Sequence, residues 1–326
     1  MEIKRREDGQ VVGRQSSHFI RHFLNLKASN SRHTAIAYER DILDFFNVAK
    51  IEDIQLQFVV NVNFMDAEHY ILELRGQGCA SSTINRKVSS LSSLYNWLLK
   101  YQDNKTGKTL INVNPFGNLK EEKPRVKSKE TEFLTADECE MLLRSFDVTT
   151  LLDLRNKTIL SLAFTTALRK SELINIQLQD IKKYGEYDVI TVIRKGNKVD
   201  QVKIQSGVKA LIDEYIERTG REPKLDGQSY LFIGHSCNKR NNEKLDPSAL
   251  NYMIKSVCKR VGIEKKINVH STRHTAITLA IIGGASIEKV RDFAAHDSIA
   301  TTNRYIHSIE KLKENAGDVI QFDALS

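Results

Sequence analysis

The chain has 326 residues, and 40% of them are hydrophobic, which is enough for two cores of ordinary size and too many for a disordered protein. Its formal net charge of +8 favours a polyanionic partner, because each cation placed on a phosphate releases condensed counterions. The four cysteines form no Cys-x-x-Cys motif, the charged N-terminus precedes no apolar run of signal-peptide length, and no stretch reaches the ~20 apolar residues that cross a bilayer. These features exclude a disulfide framework, a secreted protein and a membrane-spanning protein, and they predict a cytoplasmic one.

The first third of the chain is predicted to be helical. Between about residue 16 and residue 118, apolar side chains recur at helical spacing, most clearly over 34–46 and 81–98. Serines at the start of the second segment are predicted to cap its helix. The polar face of that helix carries Arg86 and Lys87, which form either a solvated face or contacts to phosphate.

A change of composition predicts a linker over residues 119–131, which holds five cations and one proline in thirteen residues. Its side chains Lys123, Arg125 and Lys127 would suit a segment that lies along a nucleic-acid backbone, although charged linkers also serve solubility. The predicted domains on either side cover residues 1–118 and 132–326.

The second domain is predicted to be helical around one β-hairpin. Thr135 and Glu138 form a capping-box pattern at its first helix. Two β-branched runs, 187–193 and 201–204, flank a Gly-Asn turn and predict the hairpin. The fold class is therefore mainly α, with a small β-hairpin sheet in the second domain.

Several charged side chains of this domain stand in places that require an explanation. Arg169 interrupts an apolar stretch, and a lone buried charge is costly. Glu172 would serve either in a simple helix ion pair with Arg169 or as the carboxylate that orients an anion-binding arginine. Lys195 and Lys198 lie in the predicted hairpin turn, where most lysines are only solvated.

A predicted helix over residues 269–282, closed by two glycines, carries a cluster of basic side chains. His270 and Arg273 are three residues apart and share one helix face. His270 and His274 have the spacing of half a metal site, but no glutamate follows the first histidine and no nearby carboxylate supplies a third ligand. We therefore predict that no metal is bound.

A helix break is predicted between His296 and Tyr305. Ser286 would cap a short helix that ends near His296, and Asp297 and Ser298 would begin the next one. Nine residues of continuous helix would put the histidine and the tyrosine on opposite faces, so the break is needed if they are to converge. Considered alone, a tyrosine in an amphipathic helix usually serves packing.

Taken together, these stretches resemble the tyrosine recombinase (phage integrase) family in order and spacing. The residues that carry the resemblance are Ala-Leu-Arg-Lys-Ser-Glu-Leu around position 169, Arg-Lys-Gly-Asn-Lys around 196, His-Ser-Thr-Arg-His-Thr from 270, and Ala-Ala-His-Asp-Ser-Ile-Ala-Thr-Thr-Asn-Arg-Tyr ending at 305. Thr34, Tyr38 and Asp41, with the Ser-Thr-Ile-Asn-Arg run ending at Arg86, resemble the helical core-binding domain of the same family. The resemblance thus covers nearly the whole chain.

The resemblance implies a site-specific DNA recombinase that cuts and rejoins duplex DNA through a covalent 3′-phosphotyrosine, without metal, ATP or another cofactor. It implies six catalytic residues, with Glu172 in support: Arg169, Lys195, His270, Arg273, His296 and Tyr305. Two positions depart from the family pattern, because Ala167 and Ala295 stand where glycine is common. We expect local adjustment there. Lys198 remains an alternative to Lys195 as the general acid.

The resemblance also implies partners and leaves two rivals open. It implies a homotetramer on two DNA sites, each with inverted repeats, in a simple two-domain form similar to Xer or small transposon integrases. The apolar positions of the tail over 309–325 are expected to dock into a neighbouring subunit, or else to pack within their own. One rival is a type IB topoisomerase, which would relax any supercoiled plasmid; the other is a non-catalytic DNA-binding protein, which would form no covalent adduct.

Overall fold

A computed structural model of the chain describes residues 18–102, 107, 109–126, 131–194, 196–235, 244–303 and 305. The chain divides into two compact units, residues 1–129 and 130–326, so the division falls inside the predicted linker. Most of the described residues are helical, as predicted. None of the helices in these ranges is long and apolar enough to cross a membrane.

The first unit is a cluster of helices around an aromatic core. Its helices are α1 (Phe19–Asn30), α2 (Arg32–Phe46), α3 (Leu56–Asn61), α4 (Phe64–Gly76) and α5 (Ser81–Leu98), with a 3-10 turn at Ile51–Asp53. The fully buried side chains of Phe23, Tyr95 and Phe116 are among the largest in this core. The Tyr95 hydroxyl donates to the carbonyl of Val59 at 2.9 Å, so its one polar group is satisfied inside the core.

The predicted serine cap of α5 is wrong. The residue before the helix is Ala80, whose extended backbone (φ −61°, ψ 143°) makes it the cap, and it has no side chain that could accept a hydrogen bond. Ser81 and Ser82 already lie in the first turn. A capping oxygen must precede the helix on extended backbone to reach the free N–H groups, so these hydroxyls come one residue too late.

The start of the predicted linker packs against the first unit. The side chain of Leu119 is buried in that unit's core. Arg75 donates to the carbonyl of Glu122, and the amide of Asn85 donates to the carbonyl of Pro124 at 3.2 Å. Residues 119–124 therefore belong structurally to the first unit.

The second unit contains one small sheet and seven helices that lie wholly within the described residues, besides the helical stretch that leads to residue 305. The helices are α6 (Ala136–Arg144), α7 (Leu151–Thr166), α8 (Lys170–Ile174), α9 (Ser206–Arg218), α10 (Pro247–Arg260), α11 (Val269–Ile282) and α12 (Ile287–Ala294). The strands are β1 (Ile181–Tyr184), β2 (Tyr187–Ile193) and β3 (Val199–Lys203), antiparallel in the order β1-β2-β3. The predicted hairpin is confirmed. β1 was not predicted, because only its first residue, Ile181, is partly buried and the three exposed residues after it show no alternating pattern.

Three further features of this unit position the site. α7 is buried on nearly all sides and packs against α9 and α11, so the chain leaves it in a fixed direction. The capping box of Thr135 and Glu138 is confirmed at the start of α6. The predicted helix break is also confirmed: α12 ends at Ala294, and helix resumes over 299–303 and at 305.

Candidate active site

Arg169 stands at the start of α8, where the chain turns sharply after α7. Its backbone N–H donates to Glu172 Oε2 at 2.7 Å, and its Nη1 donates to Glu172 Oε1 at 2.8 Å. The predicted contact between these two residues is therefore present, and the bond from the Arg169 N–H to the carboxylate is the half of a capping box that a glutamate at this position supplies. The Arg169 Nη2 also donates to the carbonyl of Ala295 at 3.1 Å, which ties α8 to the end of α12.

Arg194 joins the same carboxylate from the hairpin, and the sequence analysis assigned it no role. Its Nη1 donates to Glu172 Oε2 at 2.8 Å, and its Nε donates to Asp200 Oδ2 at 3.0 Å. Its side chain is only 7% exposed. The alternation of side chains along β2 could have identified Arg194 as buried. Ile190, Val192 and Arg194 lie on one face of the strand, and the first two are buried core residues.

Arg273 lies inside the second unit, on α11, and is held by main-chain carbonyl groups. Its Nη1 donates to the carbonyl of Ala167 and its Nη2 to the carbonyl of Ala294. Burial lowers the pKa of the guanidinium to about 10, and the nearby charge of Arg169 adds to this effect. The group therefore remains protonated at neutral pH.

The two alanines that depart from the family pattern both have left-handed backbone. Ala167 has φ 50° and ψ 25°, and Ala295 has φ 45° and ψ 57°. Glycine adopts this region readily, whereas an L residue does so at a cost. Their carbonyls accept from the two site arginines, so this unusual backbone is part of the site.

Tyr305 lies between two histidine rings. Its ring centroid is 5.9 Å from that of His296 and 4.5 Å from that of His274. His296 is oriented by a 2.9 Å contact between its Nδ1 and Thr302 Oγ1. The ring of His274 also stacks on Phe133, with 6.1 Å between the centroids, and burial lowers the pKa of this histidine. The rings of His296 and Tyr305 are therefore neighbours on either side of the helix break.

The remaining predicted positions of the site are a histidine of α11 and a lysine of the hairpin turn. His270 is exposed in the first turn of α11, one helical turn before His274, and the two histidines are close enough to interact electrostatically. Lys195 lies outside the described residues, whereas Lys198 is exposed. Within the ranges given above, no three His, Cys, Asp or Glu side chains are placed to hold a metal ion.

The two predicted DNA-binding residues of α5 each form an ion pair with an acidic side chain of α2. Arg86 pairs with the fully buried Asp41 and keeps 47% of its side chain exposed. Lys87 pairs with Asp44 and is only 14% exposed.

The predicted DNA-binding residues of the linker differ in exposure. Arg125 is exposed and Lys123 is partly exposed. Lys127 lies outside the described residues.

Comparison with known proteins gives the same result for most of the chain. The model of the phage integrase family matches residues 132–311, and that of the phage integrase N-terminal SAM-like domain matches residues 19–102. The chain belongs to the phage integrase family, the tyrosine-type site-specific DNA recombinases.

Individual relatives and solved structures agree with this assignment. Tyrosine recombinase XerC of Anoxybacillus flavithermus is 28% identical over 288 residues, which cover 87% of this chain and 90% of the relative. XerC of Staphylococcus aureus is 26% identical over 294 residues, 89% of this chain and 92% of the relative. The fold is similar to that of the XerH recombinase in a post-cleavage complex with a palindromic difH substrate. The TM-score is 0.69 at 20% identity, and the match covers 87% of this chain and 79% of the XerH chain. The fold is also similar to that of the Tn1549 transposon integrase bound to transposon right-end DNA, with TM-score 0.66, 18% identity, and coverage of 90% and 98%.

Proposed function

We propose that Tyr305 is the nucleophile of a strand-transfer reaction on a specific duplex DNA site. One observation carries this proposal: Arg169 and Arg273 donate to two successive carbonyls, of Ala295 and Ala294, and the ring of Tyr305 lies against His296, the next residue in the chain. Two fixed guanidinium groups beside a tyrosine are suited to a phosphodiester, because each offers a planar fork of donors to its nonbridging oxygens.

The proposed chemistry is balanced without a cofactor. The Tyr305 oxygen attacks phosphorus and passes its proton to His270, while the bond from phosphorus to the 5′-oxygen breaks and Lys195 protonates that oxygen. Arg169 and Arg273 stabilise the negative charge that develops on the nonbridging oxygens, and His296 adds a hydrogen bond. The 3′-phosphotyrosine conserves the bond energy, so a 5′-hydroxyl from a second strand restores the phosphodiester and releases the tyrosine. Glu172 positions Arg169.

Contacts to the DNA backbone are proposed for α5 and for the basic segment that follows the helices of the first unit. Arg86 is the best supported, because its guanidinium pairs with the buried Asp41, which also accepts from Ser90, while nearly half of the Arg86 side chain remains exposed. Lys87, Lys123, Arg125 and Lys127 are proposed to add to this basic surface. Lys87 is the weakest of these, since its ion pair leaves little of it exposed.

The assembly that we propose is a homotetramer on two sites with inverted repeats, in which the tail over 309–325 docks into a neighbouring subunit. The recombinase of similar fold that was crystallised on a palindromic substrate supports the symmetry of the site. A chain truncated after Gly317 should bind a single site normally and fail to form tetramers in sedimentation. Unchanged tetramer formation would refute the exchange of tails.

The nucleophile is tested with a DNA site selected by the protein itself. The Tyr305→Phe variant is used to select, over repeated rounds, from duplexes in which two randomised half-sites form an inverted repeat. The selected site is then made as a set of suicide duplexes, each nicked a few bases beyond a candidate cleavage position so that the released fragment diffuses away. Wild type should form an adduct that resists denaturation and maps to Tyr305, and Tyr305→Phe should bind without forming one.

Two outcomes would count against the proposal. An adduct that persists in Tyr305→Phe would refute the choice of nucleophile, and no adduct with wild type on any nicked site would favour a non-catalytic DNA-binding protein. A supercoiled plasmid without the site serves as the control, because a topoisomerase would relax it and a site-specific recombinase would leave it supercoiled.

A further inference from the structure

The turn between β2 and β3 is tied to the catalytic arginine by a buried chain of ion pairs. Glu172 accepts from Arg169 through Oε1 and from Arg194 through Oε2, both at 2.8 Å. The carboxylate is 3% exposed and the Arg194 side chain 7% exposed, so solvent screens this chain of contacts very little. One carboxylate therefore fixes two guanidinium groups that come from separate elements of the fold.

Arg194 also closes the turn through its main chain. Its backbone N–H donates to the carbonyl of Lys198 at 2.7 Å. Between these two residues, Gly196 and Asn197 have positive φ values of 80° and 59°. Glycine and asparagine are the residues that adopt this backbone most readily, so the sequence suits the conformation at these two positions. Arg194 thus holds the turn with its backbone and the site with its side chain.

We propose that Arg194 is a positioning residue that fixes the hairpin turn against Glu172 and so sets the place from which Lys195, the next residue in the chain, reaches the leaving oxygen. This inference rests on the proposed function, in which Lys195 is the general acid. It goes beyond that function because it gives a role to a residue outside the six catalytic positions. The second contact of Arg194, with Asp200 on β3, fixes the orientation of the guanidinium from the other side.

A purely structural role and a positioning role of Arg194 predict different effects of its replacement on the reaction rate. A buried arginine that only stabilises the fold would slow every step of the reaction alike when it is replaced. An arginine that acts through the general acid slows only the step that needs a proton on the leaving group. Changing the leaving atom of the DNA separates these two roles.

The test compares two suicide duplexes that differ only in the bridging 5′ atom of the scissile phosphate, oxygen in one and sulfur in the other. A thiol has a pKa of about 8.5, so a thiolate departs without a proton donor, whereas an alkoxide does not. General acid catalysis contributes roughly 10²–10⁴-fold, and a displaced acid loses part of this. We expect Arg194→Gln to slow adduct formation at least about 10-fold on the oxygen duplex and less than about 3-fold on the sulfur duplex.

Matched variants make the result specific. Lys195→Ala should give the same pattern as Arg194→Gln, and the double variant should be no slower than Lys195→Ala alone, because both changes remove one function. Arg169→Ala should slow both duplexes, since it acts on the phosphate. Asp200→Asn keeps the contact of Arg194 with Glu172 and should have a much smaller effect. If Arg194→Gln fails to fold by circular dichroism, Arg194→Lys keeps the charge without the planar fork and should show the same dependence on the leaving atom.

Three results would overturn the inference: equal slowing of both duplexes, no slowing of either, or additive effects in the double variant. Failure of the proposed function is distinguishable from these, because wild type would then form no adduct with either duplex.

Discussion

Replacing Ala295 by glycine should stabilise the protein. Left-handed backbone costs an L residue roughly 1–2 kcal/mol, and Ala295 has φ 45° and ψ 57°. Glycine removes this cost but loses roughly 0.5–1 kcal/mol through the greater freedom of the unfolded chain. Taking the middle of each range, the net gain in the free energy of unfolding should be about 0.75 kcal/mol.

Ala167 provides an internal comparison with the same backbone and a different environment. Its methyl group is fully buried against Ala276, Ile277 and Val290, and losing one buried methyl costs about 0.8 kcal/mol. The loss of this buried methyl group offsets most of the free energy gained by relieving the backbone strain. Ala167→Gly should therefore change the free energy of unfolding very little. Ala295 is only partly buried and should not incur the full loss.

Urea unfolding followed by far-ultraviolet circular dichroism measures these differences. With a slope of about 2 kcal/mol per molar urea, Ala295→Gly should raise the midpoint of the second unit by about 0.2–0.5 M. Ala210→Gly is the matched control, because Ala210 is exposed within α9, where glycine should lower stability by about 1 kcal/mol. The single tryptophan, Trp97, belongs to α5 and reports the first unit separately by fluorescence. A fall in the midpoint for Ala295→Gly, or a larger gain for Ala167→Gly, would refute the reasoning.

Three further predictions concern the site and the DNA contacts. Arg273→Lys loses the fork that spans two carbonyls and should slow single-turnover adduct formation by about 10²–10³-fold with little change in DNA affinity; a change below threefold would contradict its role. His274→Ala removes the ring 4.5 Å from Tyr305 and should slow the same step, while His274→Phe should restore much of the rate; equal rates for both variants would exclude a role of the ring. Arg86→Gln should reduce the slope of log Kd against log salt concentration by the contribution of about one phosphate contact. Asp41→Asn, measured by the same anisotropy titrations, should weaken binding less than Arg86→Gln. An unchanged slope for Arg86→Gln would remove Arg86 from the DNA interface.

Local signals in the sequence were sufficient for most of the helices and for the break before Tyr305. The break could be predicted because Ser286 and Ser298 mark two helix starts, and nine residues of helix would have separated His296 from Tyr305. The capping box of Thr135 and Glu138 was equally local, since all its contacts lie within three residues. Patterns of this kind depend on spacing alone.

Other features could not be predicted because they depend on long-range packing. The Arg194–Glu172 ion pair joins residues 22 positions apart, and which arginine turns inward depends on where the hairpin docks. The carbonyls of Ala167 and Ala294 lie 106 and 21 residues from Arg273, and neither has a side chain that indicates an acceptor. Sequence spacing identified Arg273, but only the fold identifies the groups that hold it.

The way in which the arginines are held bears directly on their chemistry. A carboxylate partner would fix an arginine in place and also cancel its charge, whereas a carbonyl fixes it and leaves the charge available to an anion. Arg273 is held by two carbonyls, and the one carboxylate on Arg169 is shared with Arg194. A phosphodiester gains negative charge as the tyrosine attacks it, and fixed donors that keep their charge stabilise that state most strongly. The strained backbone at Ala167 and Ala295 is therefore understandable, because it turns the carbonyls toward the guanidinium groups without adding a competing negative charge.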